Sequence, residues 1–141
     1  MKYIHVLLAE DNEGDILLTT EALEEHNMIN TISVVKNGQE ALDFVFQKGA
    51  YRHVKLPDLI LLDINLPLKS GHEVLQVIKY DPVVKHIPVI VLSTSSSEKD
   101  IKTAYAHYAN CYITKPVDIN QFMDAITCIE HFWLDVVSLS K

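Results

Sequence analysis

The chain is predicted to be an α/β protein, a three-layer (βα)5 doubly wound parallel sheet. Three observations predict this. Short apolar runs alternate with segments of helical period along the chain. The run Leu59-Ile60-Leu61-Leu62 is unbroken, as a strand covered on both faces requires, and Pro67 marks where that strand has ended. Right-handed crossovers between such strands then lay helices on both sides of the sheet.

Taken in order, Tyr3 to Ala9 is the first strand, and Asp15 can cap a helix to about Asn27 with Ile16, Leu17, Thr20 and Leu23 as its face. Ile32 to Val35 is the second strand, punctuated by Asn37-Gly38. The next helix carries Ala41, Leu42, Val45 and Phe46 and closes at Gly49. A basic loop, Tyr51 to Lys55, leads to the Leu59 strand. Ser70 caps a helix with Val74, Leu75 and Ile78 on one face, stopped at Asp81-Pro82. Val89 to Leu92 is the fourth strand. Ser97 and Glu98 open a helix to Ala109, and Cys111 to Thr114 is the fifth strand. A last helix runs from near Asp118 through Phe122, Met123 and Ile126 towards Trp133.

Composition narrows the function. The 141 residues suit one globular domain, and the formal net charge is −7, from 19 acidic and 12 basic residues. An acidic balance without a basic cluster argues against nucleic acid or anionic membrane as partner. No apolar stretch approaches the roughly 18 residues of a membrane span, and the few apolar residues between Lys2 and Glu10 are too short for a signal peptide's apolar region and cleavage site. Cys111 and Cys128 form no CxxC and read as buried thiols, so the expected location is cytoplasmic. His5, His26, His53, His72, His86, His107 and His131 are scattered without metal-ligand spacing.

Chemistry collects where the strands end. The first strand delivers Glu10 and Asp11, the third Asp63, the fourth Ser93 and the fifth Lys115. All lie at carboxyl ends of parallel strands, hence on one rim, where open α/β sheets bind ligands. Neighbouring carboxylates repel unless a cation neutralises them or one takes a proton. Oxygen ligands at a solvent-facing rim suit Mg²⁺, and a lysine and a hydroxyl opposite complete a pocket for a phosphoryl group.

Leu8-Ala9-Glu10-Asp11-Asn12, Leu62-Asp63-Ile64-Asn65-Leu66-Pro67, Leu92-Ser93-Thr94 and Tyr112-Ile113-Thr114-Lys115-Pro116 form an ordered set. That set resembles the receiver domain of two-component response regulators, with Ser93 where threonine is commoner. More narrowly, the loop before Pro57, Leu92-Ser93-Thr94-Ser95 and Phe132-Trp133 resemble the stand-alone regulators of bacterial phytochrome histidine kinases. The resemblance implies the flavodoxin-like strand order 2-1-3-4-5. It implies a receiver domain over residues 1–129, with 130–141 extending the last helix and no effector domain. It implies that a sensor histidine kinase phosphorylates Asp63, with Glu10, Asp11, Asp63 and the Asn65 carbonyl on Mg²⁺. Lys115 and Ser93 would engage the phosphoryl group, Tyr112 would turn as the switch, and the Lys115-Pro116 bond would be cis. Turnover would be limited to slow autodephosphorylation.

Two rivals share the strand order. An aspartyl-phosphate phosphatase usually carries a second acid where Asn65 stands. A flavin carrier needs a hydroxyl- and glycine-rich first loop, whereas Glu10, Asp11, Glu13 and Asp15 would repel a phosphate. Tyr105, Ala106, Tyr108 and Ala109, with Phe132, Trp133, Val136 and Val137, offer more apolar surface than a single core-facing stripe. A homodimer through helix four, strand five and helix five is therefore expected, with output through an unknown downstream protein.

Overall fold

The structure is a computed structural model; it describes residues 4–24, 29–115, 120 and 124. Five parallel strands form one sheet: β1 (Ile4–Ala9), β2 (Ile29–Val35), β3 (Leu59–Asp63), β4 (Val89–Ser93) and β5 (Cys111–Thr114). Their order is β2-β1-β3-β4-β5, the doubly wound order expected. Between them run α1 (Glu13–Glu24), α2 (Gly38–Val45), α3 (Gly71–Tyr80) and α4 (Glu98–Ala106), with a short 3₁₀ turn at Gly49–Tyr51. The helix expected near Asp118, Cys128, the Lys115-Pro116 bond and the Phe132-Trp133 segment lie outside the described residues.

Alternation along the strands divides the core in two. Leu7, Ile60, Leu62, Val89, Val91 and Tyr112 face one way and meet α2, α3 and α4 through Ala41, Val45, Val74, Ile78 and Ala104. Val6, Leu8, Leu61, Ile90, Leu92 and Ile113 face the other way, with Leu23 of α1 among them. β3 and β4 are buried at every position, which is why both read as unbroken apolar runs.

Local chemistry starts the helices. The side chains of Asn37, Ser70 and Ser97 accept from the backbone N–H of Glu40, Glu73 and Asp100, each cap contributing about 1 kcal/mol. α1 differs from expectation. Its cap is Asn12, whose Oδ1 accepts from the Asp15 N–H at 2.9 Å, and Asp15 belongs to the first turn. The core-facing stripe has Thr19 and Leu23 buried and Ile16 and Thr20 half-buried, because helical spacing from Ile16 skips Leu17, which is exposed. Gly49 does not close α2. That helix ends at Val45, and Gln47 takes the left-handed conformation (φ 55°) just beyond, so Gly49 (φ 59°) serves the next turn instead. α4 likewise stops at Ala106, with Tyr108 left-handed (φ 69°) and Ala109 buried.

Two glycines hold the loop after β3 against the sheet's rim. A Cβ on Gly71 would lie 2.3 Å from the Asp63 carbonyl oxygen, and one on Gly38 would lie 2.0 Å from the Lys69 carbonyl oxygen. The backbones close in because Gly71 N–H donates to Ile64 O at 2.7 Å and Gly38 N–H to Pro67 O at 3.1 Å. Gly71→Ala must move the backbone at Asp63, and should destabilise by about 3 kcal/mol or more. Gly49→Ala, with open space but a left-handed backbone, should lose about 1–2 kcal/mol. Urea unfolding of the two variants checks the ranking.

Candidate functional site

Register assembles the site. Ala9 pairs with Leu62, so the next residues on those strands, Glu10 and Asp63, emerge side by side. Asp63 pairs with Leu92, and Ser93 with Thr114, which brings Ser93 and then Lys115 to the same rim. Two further backbone bonds extend the ladders past the strands: Glu10 N–H to Val35 O at 3.0 Å and Lys115 N–H to Ser93 O at 2.6 Å. Strand pairing therefore fixes Glu10, Asp63, Ser93 and Lys115, while Asp11 and Asn65 sit on the loops that follow β1 and β3.

The carboxylates cluster. Glu10, Asp11 and Asp63 each offer an oxygen, all within 4.8 Å of one another. Glu10 is 1% exposed and Asp63 7%, while Asp11 faces solvent. Glu10 Oε2 accepts from the N–H groups of Asp11 (3.1 Å) and Asn12 (3.3 Å). Asp63 Oδ1 accepts from the Asn65 N–H at 3.1 Å, and Asn65 itself is exposed on the loop. The set fits a hard divalent cation: oxygen ligands only, two walls buried and one side open for water.

Opposite them Lys115, its side chain 7% exposed, brings an ammonium into contact with Glu10 Oε1, with Asp15 Oδ2 at 3.0 Å and with Asp63 Oδ2 at 3.3 Å. Burial alone would lower the Lys115 pKa. The hydrogen bonds to Glu10 and Asp15 and the charge of Asp63 outweigh it, so the ammonium is held above its usual value. Glu10 moves up as well, to about 7, because burial and then the Asp63 carboxyl disfavour its charge more than Lys115 favours it. The sequence offers Asp15 as a helix cap and not as a lysine partner; the structure pairs it with Lys115. Its place in the first turn of α1, four residues past Asp11, is the signal that was there.

Ser93 is fully buried, and its Oγ accepts from the Ser95 N–H at 3.1 Å. Tyr112 is buried too, its hydroxyl donating to the Ser95 carbonyl at 2.8 Å, while its own N–H donates to the Tyr105 hydroxyl at 3.1 Å. The ring expected to turn inward is thus inside in this structure and already linked to the loop after β4.

Residues 6–127 match the response regulator receiver domain. The chain belongs to that receiver family. It is 40% identical over 134 residues to the response regulator Rcp1 of Synechocystis sp., covering 95% of this chain and 91% of Rcp1. The crystal structure of the phosphorylated cyanobacterial phytochrome response regulator RcpA superposes with a TM-score of 0.81 at 46% identity, over 95% of this chain and 96% of RcpA. The Mn²⁺-bound form of Rcp1 superposes with a TM-score of 0.80 at 40% identity, over 93% and 94% of the two chains. As a receiver similar to phytochrome response regulators, the chain has an acidic cluster that fits a divalent metal site. Among the described residues no helix is long and apolar enough to cross a membrane.

Divalent cation binding is expected to follow the Glu10 proton. A raised pKa means the folded protein keeps a proton that the unfolded chain releases near 4.5, so without a cation stability falls as pH rises from about 4.5 to about 7. Cation affinity runs the opposite way, strengthening as pH rises through 7 and Glu10 ionises. Calorimetric titration of Mg²⁺ between pH 6 and 8 should show this slope, and Glu10→Gln should flatten it.

Proposed function

We propose that the chain is a phosphoryl-accepting response regulator in which Asp63 takes the phosphoryl group of a phosphohistidine on a sensor histidine kinase, a phytochrome in the nearest reading. The observation that carries this is the meeting of Glu10, Asp11 and Asp63 with the Lys115 ammonium on one rim of a receiver fold. An Asp63 carboxylate oxygen attacks phosphorus, an O–P bond forms and the P–N bond breaks. The imidazole leaves with the electron pair.

Glu10, Asp11, Asp63 and the Asn65 carbonyl are the proposed ligands of Mg²⁺. Bound there, the ion would supply charge neutralisation for the transferring phosphoryl group. Lys115 adds a second positive charge, and its backbone bond to Ser93 keeps ammonium and hydroxyl on neighbouring strands. Ser93 is the proposed donor to a phosphoryl oxygen, a change its loop can feel because Ser95 hangs from its Oγ. Tyr112 is the proposed reporter of that change through its bond to the Ser95 carbonyl. Any turnover is slow autodephosphorylation. The receiver is proposed to act in the cytoplasm, through contacts with other proteins. Residues 1–129 are proposed as that receiver and 130–141 as an extension of its last helix.

Output is proposed to run through a homodimer and a further protein partner, on the surface of α4, β5 and the chain after it. Tyr105 and Tyr108 support this, being 48% and 66% exposed at the end of α4.

Two outcomes are expected. Incubated with acetyl phosphate and Mg²⁺, then reduced with borohydride and mapped, the protein should carry label at Asp63, and Asp63→Asn should lose it. Full labelling of the variant would overturn the assignment. Light scattering over a concentration series should show a dimer weakened by Tyr108→Glu and by Trp133→Glu. A wild-type monomer at high concentration, phosphorylated or not, would end the dimer proposal.

A further inference from the structure

Lys115 has more partners than phosphoryl chemistry needs. An ammonium has three N–H donors, and three carboxylates take them: Glu10, Asp15 and Asp63. We infer that Asp15 is a positioning residue that holds the Lys115 ammonium in the unphosphorylated protein and is the carboxylate that releases it when a phosphoryl group arrives on Asp63. This rests on the receiver chemistry proposed above and adds a residue to it.

With all donors taken, a phosphoryl oxygen on Asp63 competes with the carboxylates for the ammonium. Glu10 is costly to release. It is 1% exposed, so water has no room to take the ammonium's place at its Oε1. Asp63, once phosphorylated, loses its carboxylate charge and passes its N–H to the phosphoryl group it carries. Asp15 remains, and its side chain is 33% exposed, so water can replace the ammonium there at small cost.

Asp15 is also well placed to hold Lys115 beforehand. Its backbone N–H is fixed by Asn12 Oδ1 at 2.9 Å, which sets the first turn of α1 and with it the carboxylate. At that end of the helix the released carboxylate remains favoured by the dipole. Asp15 lies outside the acidic triad that fits a cation, so its link is to the lysine. Engagement of a phosphoryl group by Lys115 therefore includes the cost of breaking one ion pair whose carboxylate water can reach.

Beryllofluoride, a phosphoryl mimic for aspartate, tests this on the full chain at saturating Mg²⁺, with affinity read by calorimetry. Asp15→Asn and Asp15→Ala should each bind about three- to fivefold tighter than wild type, the range of one such ion pair. Glu13→Gln removes a charge from the same turn that is paired with Lys36, and should stay within about twofold of wild type. Unchanged or weaker binding in the Asp15 variants overturns the inference, and so does an equal gain in Glu13→Gln, which would mean bulk charge alone. Wild-type protein that is folded by circular dichroism yet binds no beryllofluoride overturns the receiver chemistry, and the inference with it.

Discussion

One buried ammonium among carboxylates is the interaction on which the rim of this sheet depends. Glu10 and Asp63 emerge side by side because β1 and β3 are paired in parallel, and without a cation between them their charges would push the strand ends apart. Lys115 supplies that cation from β5, across the full width of β3 and β4. Its arrival is set by backbone pairing, since its N–H continues the β4–β5 ladder onto Ser93. Sheet register and site electrostatics are thus one constraint: a slip of a single residue would turn each of these side chains to the other face.

The same constraint explains why so much was legible in the sequence. Strands buried on both faces leave a near-continuous apolar signal, so β3 and β4 could be located to within a residue, and the polar residue that ends each had to lie at the rim. Ser70 and Ser97 were readable as caps because a hydroxyl before a helical period has few other uses. What escaped was three-dimensional. Asp15 and Asn12 are both good caps by residue type, and only the placement of Lys115 shows that Asp15 has another use. Leu17 looked like core because apolar residues outnumber the positions on the α1 stripe. Gly49 looked like a helix stop because glycine tolerates left-handed backbone, yet Gln47 adopts that conformation first.

The close approach of backbones at Gly38 and Gly71 was equally invisible, though both glycines could be seen. Their small size matters because the loop from Ile64 to Ser70 is clamped from two sides, by α2 and by the start of α3. Leu68, left-handed (φ 69°) and 79% exposed, marks the tightness of that loop. The left-handed turn falls at Leu68, in the same loop as Asn65, so the loop that follows Asp63 is held in one shape.

From that rim hydrogen bonds that branch at Ser95 reach towards the surface. Ser93 Oγ holds the Ser95 N–H, the Ser95 carbonyl holds the Tyr112 hydroxyl, and Ser95 Oγ donates to Asp100 on α4 at 2.5 Å. Asp100 in turn meets His72 of α3 at 3.4 Å and accepts hydrogen bonds that keep its carboxyl below the usual range, that from Ser95 foremost. Ser95 is therefore the joint. A hydroxyl at Ser93 that donates to a phosphoryl oxygen keeps a lone pair for the Ser95 N–H, so any movement of Ser93 is passed to the loop at Ser95. Because the tyrosine also shares its N–H with the Tyr105 hydroxyl, a shift at the joint moves α4 together with the tyrosines exposed at its end. That is a physical route by which a charge change at Asp63 could alter the proposed contact surface, and it requires the Tyr112 ring only to follow the loop it already holds.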